Sequence, residues 1–306
     1  MSSAEVMPLF PDQSRTLDLP VDFTQNPLKA ELYAREVHYR EAWNAFCEVF
    51  GEAAAQRATS LTFMIFKPDA VIARKLHAGL DAIARYGFQV VQFKTFRFDR
   101  LSMRELWRYE LNIATSQRLR AIDRLLPSSD SLLLLLRQTQ GGTPAADMLT
   151  ALKGPADMVL RRPDHLRSQL GAYSNMINFV HTPDETADVV RELGVLFSLG
   201  ELKALLQKDQ AIFGLEAQIE ALYRATPFRD PHPNACLDRL ESSVQAAGEA
   251  PAAKEGLKEI GRARQAGVCH WEVFFEESSG ADRWDAVLAA GHFTASNIVG
   301  LTRILK

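Results

Sequence analysis

His181 stands in Asn178-Phe179-Val180-His181-Thr182-Pro183-Asp184, and of the seven histidines in the chain it has the setting that best suits phosphoryl chemistry. An imidazole nitrogen can attack phosphorus and carry the phosphate as a covalent intermediate. Thr182, Pro183 and Glu185 read as a Thr-x-x-Glu capping box with proline at the first helical position, which predicts a helix starting directly after the histidine. Such a start would aim free N–H groups and the positive end of the helix dipole at an anion beside His181. Taken alone, the segment has a plainer reading: a satisfied histidine ending a buried strand.

The elements that must hold this histidine follow from patterning. Leu61-Thr-Phe-Met-Ile-Phe66 is a continuous apolar run that stops at Lys67-Pro68-Asp69, as a central strand would. A helix over 71–86, a strand over 88–98, a helix opened by a Ser102-x-x-Glu105 box, a helical stretch over 117–126 and a strand over 131–137 come next. A short helix over 145–152, a strand over 176–180 and a helix over 183–197 complete the series. The order predicts an α+β sandwich with helices on one side of a four-stranded sheet. Before it lie an irregular arm to about residue 26 and one helix over 28–56; after it come more helices, a strand over 269–276 and an apolar end over 298–305. We therefore expect three parts: an arm plus helix (1–58), the sandwich (59–200) and a separate α-rich region (201–306).

Composition narrows the function classes. A net charge of −3 and a pI near 6.2 give no overall attraction to nucleic acid or anionic membrane, and Arg161-Arg162 and Arg118-Leu119-Arg120 read as solvated surface. Cys47, Cys236 and Cys269 are odd in number and widely spaced, which fits neither a disulfide framework nor a zinc site. His270, beside Trp271, reads as structural rather than as a metal ligand. The first residues lack the basic and apolar regions of a leader, and no run approaches the roughly 20 apolar residues of a membrane span. A cytoplasmic location is expected.

Taken together, Thr62-Phe-Met-Ile-Phe-Lys67-Pro68-Asp69-Ala70-Val71, Tyr109, Gly154-Pro-Ala-Asp157, Leu166-Arg167, Gly171 and Asn178-Phe-Val-His181-Thr-Pro-Asp184 resemble, in order, the nucleoside diphosphate kinase family over roughly residues 60–198. The resemblance implies a ferredoxin-like βαββαβ core and a phosphohistidine intermediate. It implies His181 as nucleophile and Glu192 as the carboxylate that orients its imidazole. It further implies Lys67, Arg167 and Asn178 as phosphate and sugar contacts, with Tyr109 near the lysine. Substrates would be a nucleoside triphosphate with Mg2+ and a nucleoside diphosphate, and the family commonly assembles as homo-oligomers. The terminal extensions offer surface to a protein partner.

The chain also departs from the family pattern. Asp147 stands where a second phosphate-binding arginine is expected, and would repel a diphosphate; Lys153 replaces a threonine and could restore the charge. No phenylalanine lies between Tyr109 and Ser131 to stack on a base, and Gln117, Arg118 and Leu119 occupy that neighbourhood. Ala70 replaces the glycine after Lys-Pro-Asp, and Pro183 the serine that supports the carboxylate. Three functions compete on this reading: phosphotransfer between nucleotides, phosphotransfer to a different acceptor, and a binding or regulatory module on a kinase-like scaffold.

Overall fold

A computed structural model describes residues 19–207 and 213–305. The N-terminal extension forms α1 (Pro27–Arg35), α2 (Val37–Phe50) and α3 (Ala54–Ser60). The sandwich comprises β1 (Leu61–Phe66), α4 (Pro68–Ile72), α5 (Leu76–Arg85), β2 (Phe88–Phe96), α6 (Arg100–Leu106), α7 (Ser116–Leu125), β3 (Ser131–Gln138), α8 (Ala145–Lys153), α9 (Leu166–Gln169), β4 (Val180–His181) and α10 (Thr186–Leu196). Beyond it lie α11 (Leu199–Gln207), α12 (Leu215–Ala225), α13 (Pro233–Ala246), α14 (Pro251–Ala266) and α15 (Arg283–His292).

The sheet order is β2-β3-β1-β4 with every pairing antiparallel, which is the ferredoxin-like arrangement expected. Every residue of β1 is buried, as are Ser131–Leu136 of β3, so these strands carry unbroken apolar runs instead of alternation. The edge strand β4 pairs over two residues only, Val180 with Phe66 and His181 with Ile65. That short pairing places His181 one residue from the end of β1, where Lys67 leaves the sheet.

Several expectations are corrected. The helix over 28–56 is interrupted at Glu36, whose extended backbone ends α1 and whose carboxylate is used elsewhere. α6 begins earlier than its Ser102 box implied: Asp99 is the N-cap, and Ser102 supplies the reciprocal contact from the third helical position. The stretch over 269–276 is a 3-10 helix, Trp271–Phe275, with Trp271, Val273 and Phe274 buried among helices rather than paired to a strand. The strand over 176–180 shortens because residues 175–179 form an irregular loop. The irregular arm up to residue 18, and Ile212 of the later helical pattern, lie outside the described residues.

The extensions pack on the sandwich through close crossings. At Gly194 of α10 a Cβ would come within 2.4 Å of the His38 carbonyl oxygen, so glycine lets α2 lie directly on the helix that carries Glu192. At Gly291 of α15 a Cβ would meet Ile177 at 2.4 Å, bringing the C-terminal helices against the loop that precedes His181. α15 also packs along α7. One hydrophobic core runs without a break from Phe23 to Leu305.

Candidate active site

β1 and β4 end side by side, and the backbone between them is locked. Phe179 adopts φ 68, a left-handed conformation that costs free energy in any residue with a side chain. Its N–H donates to Asp69 Oδ2 at 2.7 Å and its carbonyl accepts the Lys67 N–H at 2.9 Å. Asp69 is fully buried. Its role is thus to hold the turn that delivers His181, while Lys67 is its counter-ion at 3.5 Å. The Lys67 ammonium donates to the Met176 carbonyl at 2.8 Å; burial and the neighbouring Arg167 lower its pKa, and Asp69 opposes them.

The His181 imidazole meets Glu192 through Nε2 at 2.7 Å. Among the described residues Nδ1 has no hydrogen-bond partner. Trp107 stands edge-on to the ring at 5.3 Å and Phe63 lies at 6.3 Å, so aromatic surfaces fix the imidazole plane. Burial pushes the Glu192 carboxyl above the ordinary range, and His181 pulls it back.

The expected helix start beside the histidine is absent. α10 begins at Thr186, capped by a reciprocal Glu185–Asp188 box, so Thr182–Glu185 separate His181 from it. A start at Pro183 would put Glu192 roughly 13 Å along the axis; the real start shortens this to about 9 Å, and the linking segment folds the histidine back beside it. Thr150 and Lys153 of α8 hold that segment: Thr150 Oγ1 donates to the Pro183 carbonyl at 2.9 Å, and Lys153 Nζ lies 3.0 Å from Asp184.

All seven residues singled out from the sequence, Lys67, Tyr109, Lys153, Arg167, Asn178, His181 and Glu192, line one cavity of about 730 Å³. Arg167 donates to the carbonyls of Gly154 and Val180, and burial with the nearby Arg161 pushes its pKa down to about 10, leaving it charged at neutral pH. Asn178 donates to the Asn175 carbonyl at 2.6 Å. Asp147 does not itself line the cavity, although its carboxylate acts on the lining residues Lys29 and Asp188; Thr150 and Lys153 present that helix to the cleft.

Other lining residues were not anticipated. Lys29 reaches from α1 to Glu185 at 2.6 Å and Asp188 at 2.8 Å, and the Tyr33 hydroxyl donates to Asp188 at 2.7 Å. Behind them Arg191 pairs with Glu36 and lies against the adjoining rings of Tyr33 and Tyr109, at 5.2 and 5.3 Å, the two rings themselves being 6.0 Å apart. Burial works against the Arg191 charge, but Glu36 overcomes it and raises the pKa. Arg303 and Leu305 enter the cavity from the far end of the chain. Their signal was hidden because each partner lies a hundred or more residues away in sequence, where periodicity carries no information.

Among the described residues, the group of side chains spaced to hold a metal ion, His77, Glu216 and Glu220, lies outside this cavity. No helix among them is long and apolar enough to cross a membrane.

The fold and site together define an antiparallel α+β sandwich with a histidine–carboxylate pair in a cleft rich in cationic side chains. Residues 60–202 match the model of the family described as nucleoside diphosphate kinase. They form a domain of that family, and the chemistry of the class is nucleotide phosphotransfer. Similar solved structures include the nucleoside diphosphate kinase of Aquifex aeolicus, at 25% identity over 45% of this chain and 95% of that one, with a TM-score of 0.38. Another is an NDP kinase from Pyrobaculum aerophilum, at 18% identity over 47% of this chain and 98% of that one, with a TM-score of 0.37. A comparison with curated proteins returns no match.

Proposed function

We propose that the chain takes the terminal phosphate of a magnesium nucleoside triphosphate onto His181 and passes it to a nucleoside diphosphate. The observation that carries this reading is the 2.7 Å contact between His181 Nε2 and the buried Glu192, which leaves Nδ1 without a partner among the described residues. A carboxylate acceptor keeps the proton on Nε2 and the lone pair on Nδ1. In the first half-reaction Nδ1 forms the N–P bond, the bond from phosphorus to the bridging oxygen breaks, and the diphosphate leaves with that electron pair. The ring becomes cationic, and Glu192 opposes its charge. A second diphosphate then reverses the step.

Lys67, Arg167 and Lys153 supply the positive charge that phosphoryl transfer needs in a fixed geometry. Magnesium arrives as part of the triphosphate substrate. We further propose that residues 59–200 carry the reaction and that residues 1–58 and 201–306 shape its cleft.

Incubating wild type and His181→Ala with γ-labelled ATP and magnesium tests this. The expected result is an acid-labile, base-stable phosphoprotein in wild type only, discharged by nucleoside diphosphates. Labelling without discharge would point to another acceptor. A folded wild type that takes no label would overturn phosphotransfer and favour a binding module.

A further inference from the structure

The segment from Asn297 to Leu305 lies outside the family domain, yet it is stitched along Tyr109–Thr115 at the mouth of the cavity. The Ile298 N–H donates to the Ile113 carbonyl at 2.7 Å and the Ile304 N–H to the Tyr109 carbonyl at 3.1 Å. Asn112 Nδ2 donates to the Thr302 carbonyl at 2.9 Å, and Leu305 is buried. These contacts use main-chain groups of the segment, so its docking does not depend on the Arg303 side chain. Arg303 and Arg118 both line the cavity, and the carboxylate that serves them is Glu110, 3.0 Å from Arg303. Arg118 donates to Asn297 Oδ1 at 2.7 Å, while its Nε is buried without a hydrogen-bond partner. Burial and the nearby Arg303 both weaken the hold of Arg118 on its proton, and Glu110 only partly offsets them. Two guanidinium groups lining one cavity, with Glu110 paired to Arg303 and acting on Arg118 only through its charge, leave unmet demand for an anion.

We propose that Arg118 and Arg303 form a second anion clamp that binds phosphate oxygens of the nucleotide, with Glu110 as a built-in competitor that releases Arg303 when nucleotide enters. The proposal rests on the phosphotransfer reading and assigns the charge missing at Asp147 to residues that the family domain does not contain. An arginine meets two phosphate oxygens at once, which suits it to replace its Glu110 partner without leaving a charge unpaired.

The test is equilibrium binding of ADP by calorimetry to wild type, Arg303→Gln, Arg118→Lys and Glu110→Gln, each checked for an unchanged melting temperature. Loss of a charge-assisted contact should weaken ADP binding by about tenfold in Arg303→Gln, and less in Arg118→Lys, which keeps the charge but not the fork. Glu110→Gln should bind ADP more tightly than wild type. If the Arg303–Glu110 pair only fastened the segment, removing either partner would act in the same direction. Unchanged binding in Arg303→Gln, or weakening in Glu110→Gln, overturns the clamp while His181 labelling leaves phosphotransfer standing. Wild type that binds no ADP overturns both; ADP binding that follows the expected pattern without labelling of His181 supports the clamp and removes the phosphotransfer reading.

Discussion

At the His181 end of the cavity, lining groups are held by the ends of adjacent strands and by buried hydrogen bonds, whereas at the Leu305 end they are brought in by segments far apart in sequence. Asp69 fixes Phe179, Lys67 is anchored on Met176, and Arg167 is spent on two main-chain carbonyls. Arg303 and Glu110, by contrast, are about 40% exposed and are held to each other by one ion pair at 3.0 Å. A rigid end suits chemistry, where displaced atoms lose rate. The looser end suits recognition. A third region, α1 with α2, stiffens the first from behind: Glu36 reaches Arg191, one residue from Glu192.

The comparison would break most sharply at Glu192. If the rigid end sets the rate, Glu192→Gln should lower the rate of His181 labelling by about a hundredfold, within the range for a positioned acid–base group, while ADP binding changes little. The pH dependence has a definite sign. Glu192 has a raised pKa, so its charge is present above that value and lost as pH falls through it. Labelling in wild type should therefore decline on acidification, and Glu192→Gln should lose that part of the profile. Equal rates in the two proteins would mean that the carboxylate does not orient the nucleophile.

Glu36 tests whether the extension supports the site. Its carboxylate and the Arg191 guanidinium are both buried, and Arg191 also donates to the Glu105 carbonyl at 2.8 Å. Removing one partner of a buried pair leaves the other charge uncompensated, so Glu36→Ala should lower stability by about 3 kcal/mol in chemical denaturation. Replacing both partners, as Glu36→Ala with Arg191→Met, should recover much of the loss. A single variant as stable as wild type would show that the α1–α2 unit rests on the sandwich without bracing it.

These two regions also differ in how far the amino-acid sequence disclosed them. The strands β1 and β3 could be read because they are unbroken apolar runs ending in a charged residue or a turn, and the Asn178–Asp184 segment because its residue types and spacing form a contiguous motif. Local rules failed where two signals competed. At Thr182–Glu185 a capping box is present in the residues, but Glu185 is drawn to Lys29 and caps a later helix start. At residues 269–276 an apolar run looked like a strand, yet three helices already enclose it and no strand edge is at hand. Lys29, Arg191 and Arg303 carry no local signal because what gives them a role is a carboxylate 100 or more positions away, as with Lys29 and Asp188 at a separation of 159.

The smallest expected effect concerns the cover rather than the cleft. His292 ends α15 next to Gly291, whose packing on Ile177 links the C-terminal helices to the loop before His181. Its Nε2–H donates to the Pro231 carbonyl at 2.7 Å, Nδ1 is buried without a partner, and burial pushes the imidazole pKa down to about 4 from an ordinary 6.5. Below 6.5 the unfolded chain takes up a proton that the folded chain refuses, so the contribution of His292 is fully present above that pH and is lost progressively towards 4. The melting temperature of wild type should fall over this window more than that of His292→Gln, whose amide can still donate to Pro231 but does not titrate. Carboxylates titrate equally in the two proteins, so the difference between the curves isolates the histidine. Parallel curves would mean that the buried imidazole is protonated in place. If the curves diverge while His181 labelling at neutral pH is the same in both, the C-terminal helices act on the stability of the cleft and not on its chemistry.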